Sequence, residues 1–380
     1  MELSMNISEL AKFRGGVSVD TITELTSASG VTIDSMLIKD GKTSSNNIDW
    51  QEPTMFRNRI INGGMVIDQR ATATSTLGAY SVDRWEIIRA NDATESWAQS
   101  TGVAGFAKSL ANTISVADAT IGATQYSGID QKIEGLNIAD LMWGTSSAKP
   151  VTISFWVNSP TIGAYALALS NSGASRTCPI QYTINAANTW EYKTVTVAGC
   201  TDGTWLTTNG IGITLNFYLA LGSSYVGGTS GVWNSIGLFG VAPVNGLAAT
   251  GTFAITGVQL EPGTVATPFE FRPYGTELAL CQRYYWKSQS APNSNIQPTS
   301  YNGSGTNTIG LGAINFKTTM RISPDVTITG TWTTINCGQP AITGKSADGF
   351  HIYVISSAAG LVQAYNADAA LQYIEAKAEL

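Results

Sequence analysis

Between residues 57 and 272, short runs of alternating apolar and polar residues follow one another with little but Gly, Asn and Ser turns between them. That spacing commits the chain to layered antiparallel sheet. The runs are IINGGMVI, SVDRWEII, ESWAQST, YSGIDQKI, PVTISFWVNS, YALALS, YTINAANTWEYKTVTVAG, IGITLNFYLA and TFAITGVQL. Nine or more short strands at this spacing predict a two-sheet jelly roll. One helical run interrupts them: GLNIADLM places Ile138, Leu141 and Met142 on one face and reads as a turn or two of helix at a sandwich end. Composition agrees with an all-β class. Charged residues are 13% of the chain and apolar ones 43%, with ten Trp, fourteen Tyr and eleven Phe, enough to bury substantial cores. Abundant Thr, Val and aromatics suit a pleated, half-buried surface.

A chain of 380 residues exceeds what one core ordinarily supports, so several domains are expected. Residues 1–51 read as an N-terminal anchor and stalk. In NISELAKF, Ile7, Leu10 and Phe13 recur at three-residue steps and mark a short amphipathic turn, too short to be stable alone. Residues 17–41 hold two alternating runs, Val17-x-Val19 and Val31-x-Ile33, separated by SASG. A segment with so few apolar side chains cannot bury a core by itself. Three copies wound about a common axis can, each covering the edges of the others, so a homotrimer is expected. The polar stretch 42–56 links this stalk to the β-sandwich, assigned to residues 52–272. Beyond a hinge near Pro273, residues 276–287 read as a short helix with Leu278, Cys281 and Tyr285 on its inward face. The remainder reads as a smaller β-domain, so that 273–380 forms the third unit. Repeats of ~20–50 residues, the mark of a solenoid, are absent from the sequence.

Several function classes are disfavoured. A net charge of −6 without Lys/Arg runs argues against nucleic acid. No apolar stretch approaches the ~18–20 residues that span a bilayer, and the first residues lack the apolar core of a signal peptide. The expectation is a protein made in a cytoplasm and released by lysis. The four cysteines, Cys178, Cys200, Cys281 and Cys337, contain no C-x-x-C pair and only His351 could join them, so no zinc site or other cofactor is expected. Cys178 and Cys200 could lie on neighbouring strands and pair; a reducing cytoplasm favours buried thiols.

Catalytic groups are scarce. His351 lies in GFHIYVIS, where alternation sets it opposite Phe350 and Ile352, and no G-x-S-x-G nucleophile accompanies it. Glycosidases need two acids about 5–10 Å apart; the candidates are Asp83, Glu86, Asp130, Glu134, Asp202, Glu261 and Glu270. Sequence spacing does not decide whether any two of them share a cleft floor, and for Glu270 beside Arg272 a structural ion pair is at least as good a reading. No catalytic residue is assigned and the chain is expected not to be an enzyme. Asp34, Asp40, Asp49, Asp92, Asp118 and Asp202 are scattered near turn-forming residues without an EF-hand pattern; calcium in a sandwich loop stays open, but turn chemistry accounts for most of them. Gly210-Ile211-Gly212 lies inside a strand and is no nucleotide cradle. Binding is different. Sugar rings stack on exposed aromatics while their hydroxyls pair with amides and carboxylates. Trp205 in CTDGTWLTTNG and Tyr225 in GSSYVGGTSG sit in turn-rich polar surroundings and are the candidate carbohydrate-binding residues; the alternative, and the commoner use of such a ring, is to clip a loop or pack between trimer subunits. Trp85, Trp156 and Trp190 lie in strand-like runs and read as core or intersheet residues.

Residues 253–285, FAITGVQLEPGTVATPFEFRPYGTELALCQRYY, join a strand, a Pro-kinked exit and a short helix. They resemble the closing segment of a β-sandwich domain of bacteriophage virion proteins, chiefly tail fibres and head fibres. The resemblance continues back to RNRIINGGMVIDQR and YSVDRWEI, which look like the family's opening strands. Residues 20–41 resemble a recurrent fibre segment, matched at Asp20, Thr21, Ile22, Glu24, Thr26, Ser27, Ser29, Gly30, Val31, Thr32, Ile33, Asp34, Leu37, Lys39, Asp40 and Gly41, with Ser35 where the family has glycine. The resemblance implies a sandwich similar to carbohydrate-binding modules and a homotrimeric virion protein. It would be anchored to other virion proteins through residues 1–41 and would present its β-domains to host-surface glycan. Two alternatives stay open: a glycan depolymerase spike, and a capsid decoration fibre without a receptor role.

Overall fold

The computed structural model describes residues 56–288, 301–303, 307–365 and 373–380. The expectations for residues 1–55, the anchor, stalk and linker with their trimeric winding, lie outside the described residues.

Among the described residues, positions 56–272 form twelve strands: β1 (Tyr80–Val82), β2 (Trp85–Ala90), β3 (Thr94–Thr101), β4 (Lys108–Val116), β5 (Tyr126–Glu134), β6 (Val151–Asn158), β7 (Gly163–Ser170), β8 (Thr177–Ile184), β9 (Glu191–Val197), β10 (Ile211–Leu221), β11 (Val244–Asn245) and β12 (Gly251–Pro262). They pair antiparallel in two sheets. One has seven strands in the order β1-β2-β5-β10-β7-β8 with β11 on β10, and the other has five in the order β3-β4-β12-β6-β9. Alternation decides which side chains meet between them. Ile129 and Ile133 of β5, Leu215, Phe217 and Leu219 of β10, Ile153, Phe155 and Val157 of β6 and Ile255 of β12 all turn inward and are buried. Phe217 meets Phe155 of the facing sheet at 5.0 Å, interlocking the two layers, while Trp85–Phe217 at 6.1 Å and Trp97–Phe253, edge-on at 6.2 Å, pack neighbours within a sheet. The fold is an all-β sandwich.

Particular segments depart from the sequence reading. IINGGMVI is no strand: residues 60–67 run irregularly, with Asn62 and Met65 in the left-handed region at φ 58° and 57°. Ile60 and Met65 are nevertheless buried. The Asn62 amide replaces the ladder, donating to the Ile67 and Asp83 carbonyls and accepting from Ile67 N–H. Gly63 is required here, since a Cβ would stand 2.1 Å from the Val258 carbonyl oxygen. KSLANTISV, which lacks clean alternation because Ser109 and Asn112 are buried with its apolar residues, is strand β4. GLNIADLM forms two 3-10 turns that bury Ile138 and Leu141 and leave Met142 exposed, at φ 54°. Trp85 is buried, but Trp156 and Trp190 are half-buried. Inward Phe155 and Val157 force Trp156 to the outer face, where it pairs across strands with exposed Tyr192.

After Pro273 comes helix α1 (Tyr274–Gln282), shorter than the sequence suggests, because Tyr285–Lys287 is drawn into a strand, β13. Cys281 is fully buried against Ile61, Ile67 and Tyr284. Strands β14 (Tyr301–Gly303), β15 (Thr308–Asn315), β16 (Asp325–Thr329), β17 (Thr333–Ile335), β18 (Ala341–Ser346), β19 (Gly349–Ile355), β20 (Gly360–Tyr365) and β21 (Tyr373–Lys377) follow, and β16 starts directly after Pro324. They form three-stranded sheets in the orders β13-β21-β16, β14-β20-β17 and β15-β19-β18. Leu311, Trp332, Phe350, Ile352, Val362 and Ile374 make their core. His351 is exposed between buried Phe350 and Ile352, as alternation expects. Buried charge joins this part to the sandwich. Arg84 pairs with Glu379 and lies 3.6 Å over the Tyr284 ring, while Arg283 pairs with Glu134 at 2.6 Å. Arg321 donates to Asn209, Ala378 and Glu379 carbonyls.

Candidate functional site

The outward faces of the central strands of the seven-stranded sheet build a cleft of about 370 Å³. Its depth follows from sequence. Inward-facing apolar residues leave positions 126, 128, 130 and 132 of β5 and 214, 216 and 218 of β10 pointing out. The register then sets Glu86, Asp130, Asn216 and Ala168 in one row, and Ile88, Gly128, Tyr218 and Ala166 in the next. Gly128, Ala166 and Ala168 are small, so the sheet is hollow where larger side chains would fill it. At Gly128 a Cβ would come within 2.0 Å of the Phe217 carbonyl oxygen.

One wall is aromatic. Tyr225 meets Tyr126 edge-on at 5.8 Å, and Phe239 meets Tyr218 at 5.9 Å. Tyr225 belongs to the 3-10 turn Ser223–Tyr225, which is pinned because its carbonyl accepts from Phe239 N–H at 2.8 Å and Gly240 N–H at 3.2 Å. The floor is polar: Asp130, Lys132, Thr214 and Asn216, with Ser170 and Asn171 beyond. An apolar ring surface beside convergent hydrogen-bonding groups is the mixture that a sugar requires.

Asp130 dominates the electrostatics. It is 6% exposed, and its Oδ1 has no hydrogen-bond partner. Burial pushes its carboxyl up to about 7; neighbouring Glu86 adds to the rise, while Lys132 and Arg84 oppose it. The Lys132 ammonium is engaged by the Glu86 carboxylate, which also accepts from the Tyr80 hydroxyl at 2.9 Å. Burial, followed by the Asp130 charge, raises the Tyr218 phenol far above its ordinary range.

The two residues singled out from sequence do not share this site. Tyr225 lines the cleft and is half-buried there. Trp205 is 8% exposed. Its ring is enclosed by Trp143 at 4.7 Å and Trp233 at 5.3 Å, and its indole N–H donates to the Asp202 carbonyl at 3.0 Å. The polar TDG turn that suggested exposure instead folds back to cap the ring, leaving no face open to a ligand. Of the acids considered, Glu86 and Asp130 are direct partners on β2 and β5. The others hold the fold. Asp83 binds Gln69 and Arg70, Glu134 binds Arg283 and Tyr284, and Asp202 binds Arg176. Glu261 binds Thr267, and Glu270 accepts from the Asn58 N–H and pairs with Arg272 at 3.4 Å. All four cysteines are buried free thiols, and burial pushes Cys178 up to about 12. Sequence reasoning passed over Tyr126, Lys132, Thr214, Asn216, Tyr218 and Phe239. The available signal was the alternate positions of IGITLNFYLA, where Thr, Asn and Tyr occupy the outward side.

No protein-family model matches this chain, and no curated protein matches it. Solved structures do. The enzymatically active domain of tailspike protein 4 of bacteriophage CBA120 is similar over 55% of this chain and 22% of its own, at 12% identity and a TM-score of 0.31. A CBM4 structure is similar over 53% of this chain and 98% of its own, at 17% identity and TM-score 0.30. A family 11 carbohydrate-binding module from Clostridium thermocellum, solved with a β-1,3-1,4-mixed-linked tetrasaccharide, is similar over 51% and 98%, at 13% identity and TM-score 0.27. At these identities and TM-scores neither a family nor a role passes from those structures to this chain.

Proposed function

We propose that this chain is a structural protein of a bacteriophage virion, a homotrimeric fibre whose sandwich holds a host-surface glycan in the cleft between Tyr126, Tyr225 and the Asp130 floor. The observation that carries the binding part is the cleft: four aromatic side chains beside a row of uncharged and carboxyl hydrogen-bonding groups. The virion part is supported by the resemblance of residues 20–41 and 253–285 to fibre segments, with residues 1–41 contacting other virion proteins and trimerising the chain. The protein binds and does not cleave. The Glu86 carboxylate is committed to Lys132 and Tyr80, as a structural ion pair would be. Oligosaccharides from bacterial surface polysaccharide should bind the purified chain, and Tyr126→Ala and Tyr225→Ala should abolish binding without loss of folding. Failure of every surface glycan to bind would remove the reading. Immunogold imaging of the particle tests the virion placement and tells tail from head.

One observation favours a second reading, a glycan depolymerase. Glu86 and Asp130 stand directly opposite on neighbouring strands, a Cα separation of about 4.5–5.5 Å, and burial keeps Asp130 protonated toward neutral pH, the state of a general acid. Release of reducing ends from host polysaccharide, lost in Glu86→Gln, would establish that reading over simple binding.

A further inference from the structure

The fixed charges around the cleft bear on which sugars it can hold. Recognition of a uronic, sialic or sulfated sugar calls for a cation free to make charge-assisted hydrogen bonds, most often a guanidinium fork. Among the described residues lining the cleft, Lys132 is the cation, and its ammonium is already held by Glu86. The nearby arginines are also committed. Arg176 is bidentate on Asp202, at 2.7 and 2.8 Å, and Arg89 is spent on Glu95 and the Ser75 and Ala93 carbonyls.

The unspent capacity at the floor is an acceptor. Asp130 Oδ1 lacks a partner and calls for a hydroxyl or amide N–H, which neutral sugars supply in abundance. The Asn171 amide offers little, because it already donates to Ser175 and the Thr204 carbonyl and accepts from Arg176 N–H. An anionic group entering here would give up water in a partly desolvated hollow where, among the described lining residues, no uncommitted cation replaces it, because the Lys132 ammonium is held by Glu86.

We infer that the cleft selects uncharged hexoses and N-acetylhexosamines, through hydroxyl or amide donation to the Asp130 carboxyl and stacking on Tyr126 and Tyr225, and rejects sugars bearing carboxylate or sulfate. This rests on the glycan-binding reading above and adds its ligand class.

The test is calorimetric titration of the full chain with matched neutral and acidic oligosaccharides: galactotetraose against tetragalacturonate, lactose against sialyllactose, and chitotetraose against a sulfated counterpart. The expected result is that at least one neutral member binds tenfold or more tightly than its acidic match. Glu86→Gln, which releases the Lys132 ammonium, should narrow that gap about tenfold, and circular dichroism verifies that the variant is folded. An acidic member binding as tightly as its neutral match overturns the inference and leaves the glycan-binding reading standing. Absence of binding to every probe overturns both.

Discussion

Replacing Asp130 by Asn should stabilise the protein, and only above acid pH. The native carboxyl holds its proton up to about 7, whereas an Asp in an unfolded chain releases it near 3.8. Below pH ~4 both states are protonated, and burial of the neutral acid costs nothing further. As the pH climbs, the unfolded chain gives up this proton first, so the native state loses stability relative to it until the native group also ionises near 7. Each pH unit of tightened proton affinity is worth about 1.4 kcal/mol, which sets a ceiling of about 4 kcal/mol on the loss. Asn cannot ionise and keeps nearly the same shape, so the variant escapes the penalty. The stability difference between variant and parent should therefore be smallest near pH 4, grow in favour of the variant through pH 5 and 6, and level off above about 7. Asp83, whose carboxyl burial pushes up to about 6, titrates in both proteins and cancels in the difference. Urea unfolding followed by Trp fluorescence from pH 4 to 8 measures it. A flat difference across that range would refute the burial argument. A difference that grows in favour of the parent would mean that Lys132 stabilises an ionised Asp130, and would reverse the assignment.

Other outcomes follow from the same contacts. Arg84→Ala removes a buried guanidinium from Glu379 and from the Tyr284 ring and should cost about 3–5 kcal/mol in denaturant unfolding, while Arg176→Ala, paired at the surface with Asp202, should leave the midpoint unmoved. Trp205→Ala empties the indole cluster and should cost about 3–5 kcal/mol without weakening glycan affinity per folded molecule; Tyr225→Ala should do the reverse. Gly63→Ala drives a Cβ into the Val258 carbonyl and should cost about 1–3 kcal/mol, read as a lowered thermal midpoint. The four thiols should resist a thiol-reactive dye in the native state and react on denaturation, since they are buried and unpaired; fewer than four in the unreduced, unfolded chain would reveal a disulfide.

Periodicity is a local property, and what depends on it was legible in the chain. The runs containing Ile129, Phe155, Leu215 and Ile255 announce two-faced strands, and the outward placement of His351 follows from its neighbours. What depends on register was not. Asp130, Glu86 and Asn216 are far apart in sequence and become neighbours only because β2, β5 and β10 pair as they do. The hollow beside them exists because Gly128, Ala166 and Ala168 fall in adjacent rows. Trp205 shows the converse. A polar turn around an aromatic residue signals exposure until tertiary packing supplies two more indoles and a carbonyl to enclose it. Likewise IINGGMVI has the apolar content of a strand, but Gly63 must pass against Val258 and Asn62 must take the left-handed turn, so no ladder forms.

By itself, then, the sequence determined the all-β class, the inward and outward sides of most strands and the low content of charge without Lys/Arg runs, because side-chain alternation and composition belong to each segment alone. The tertiary structure decided where the cleft lies, which acid is buried in it and which aromatic residues remain open, because those depend on strand order and on side chains that only folding brings together.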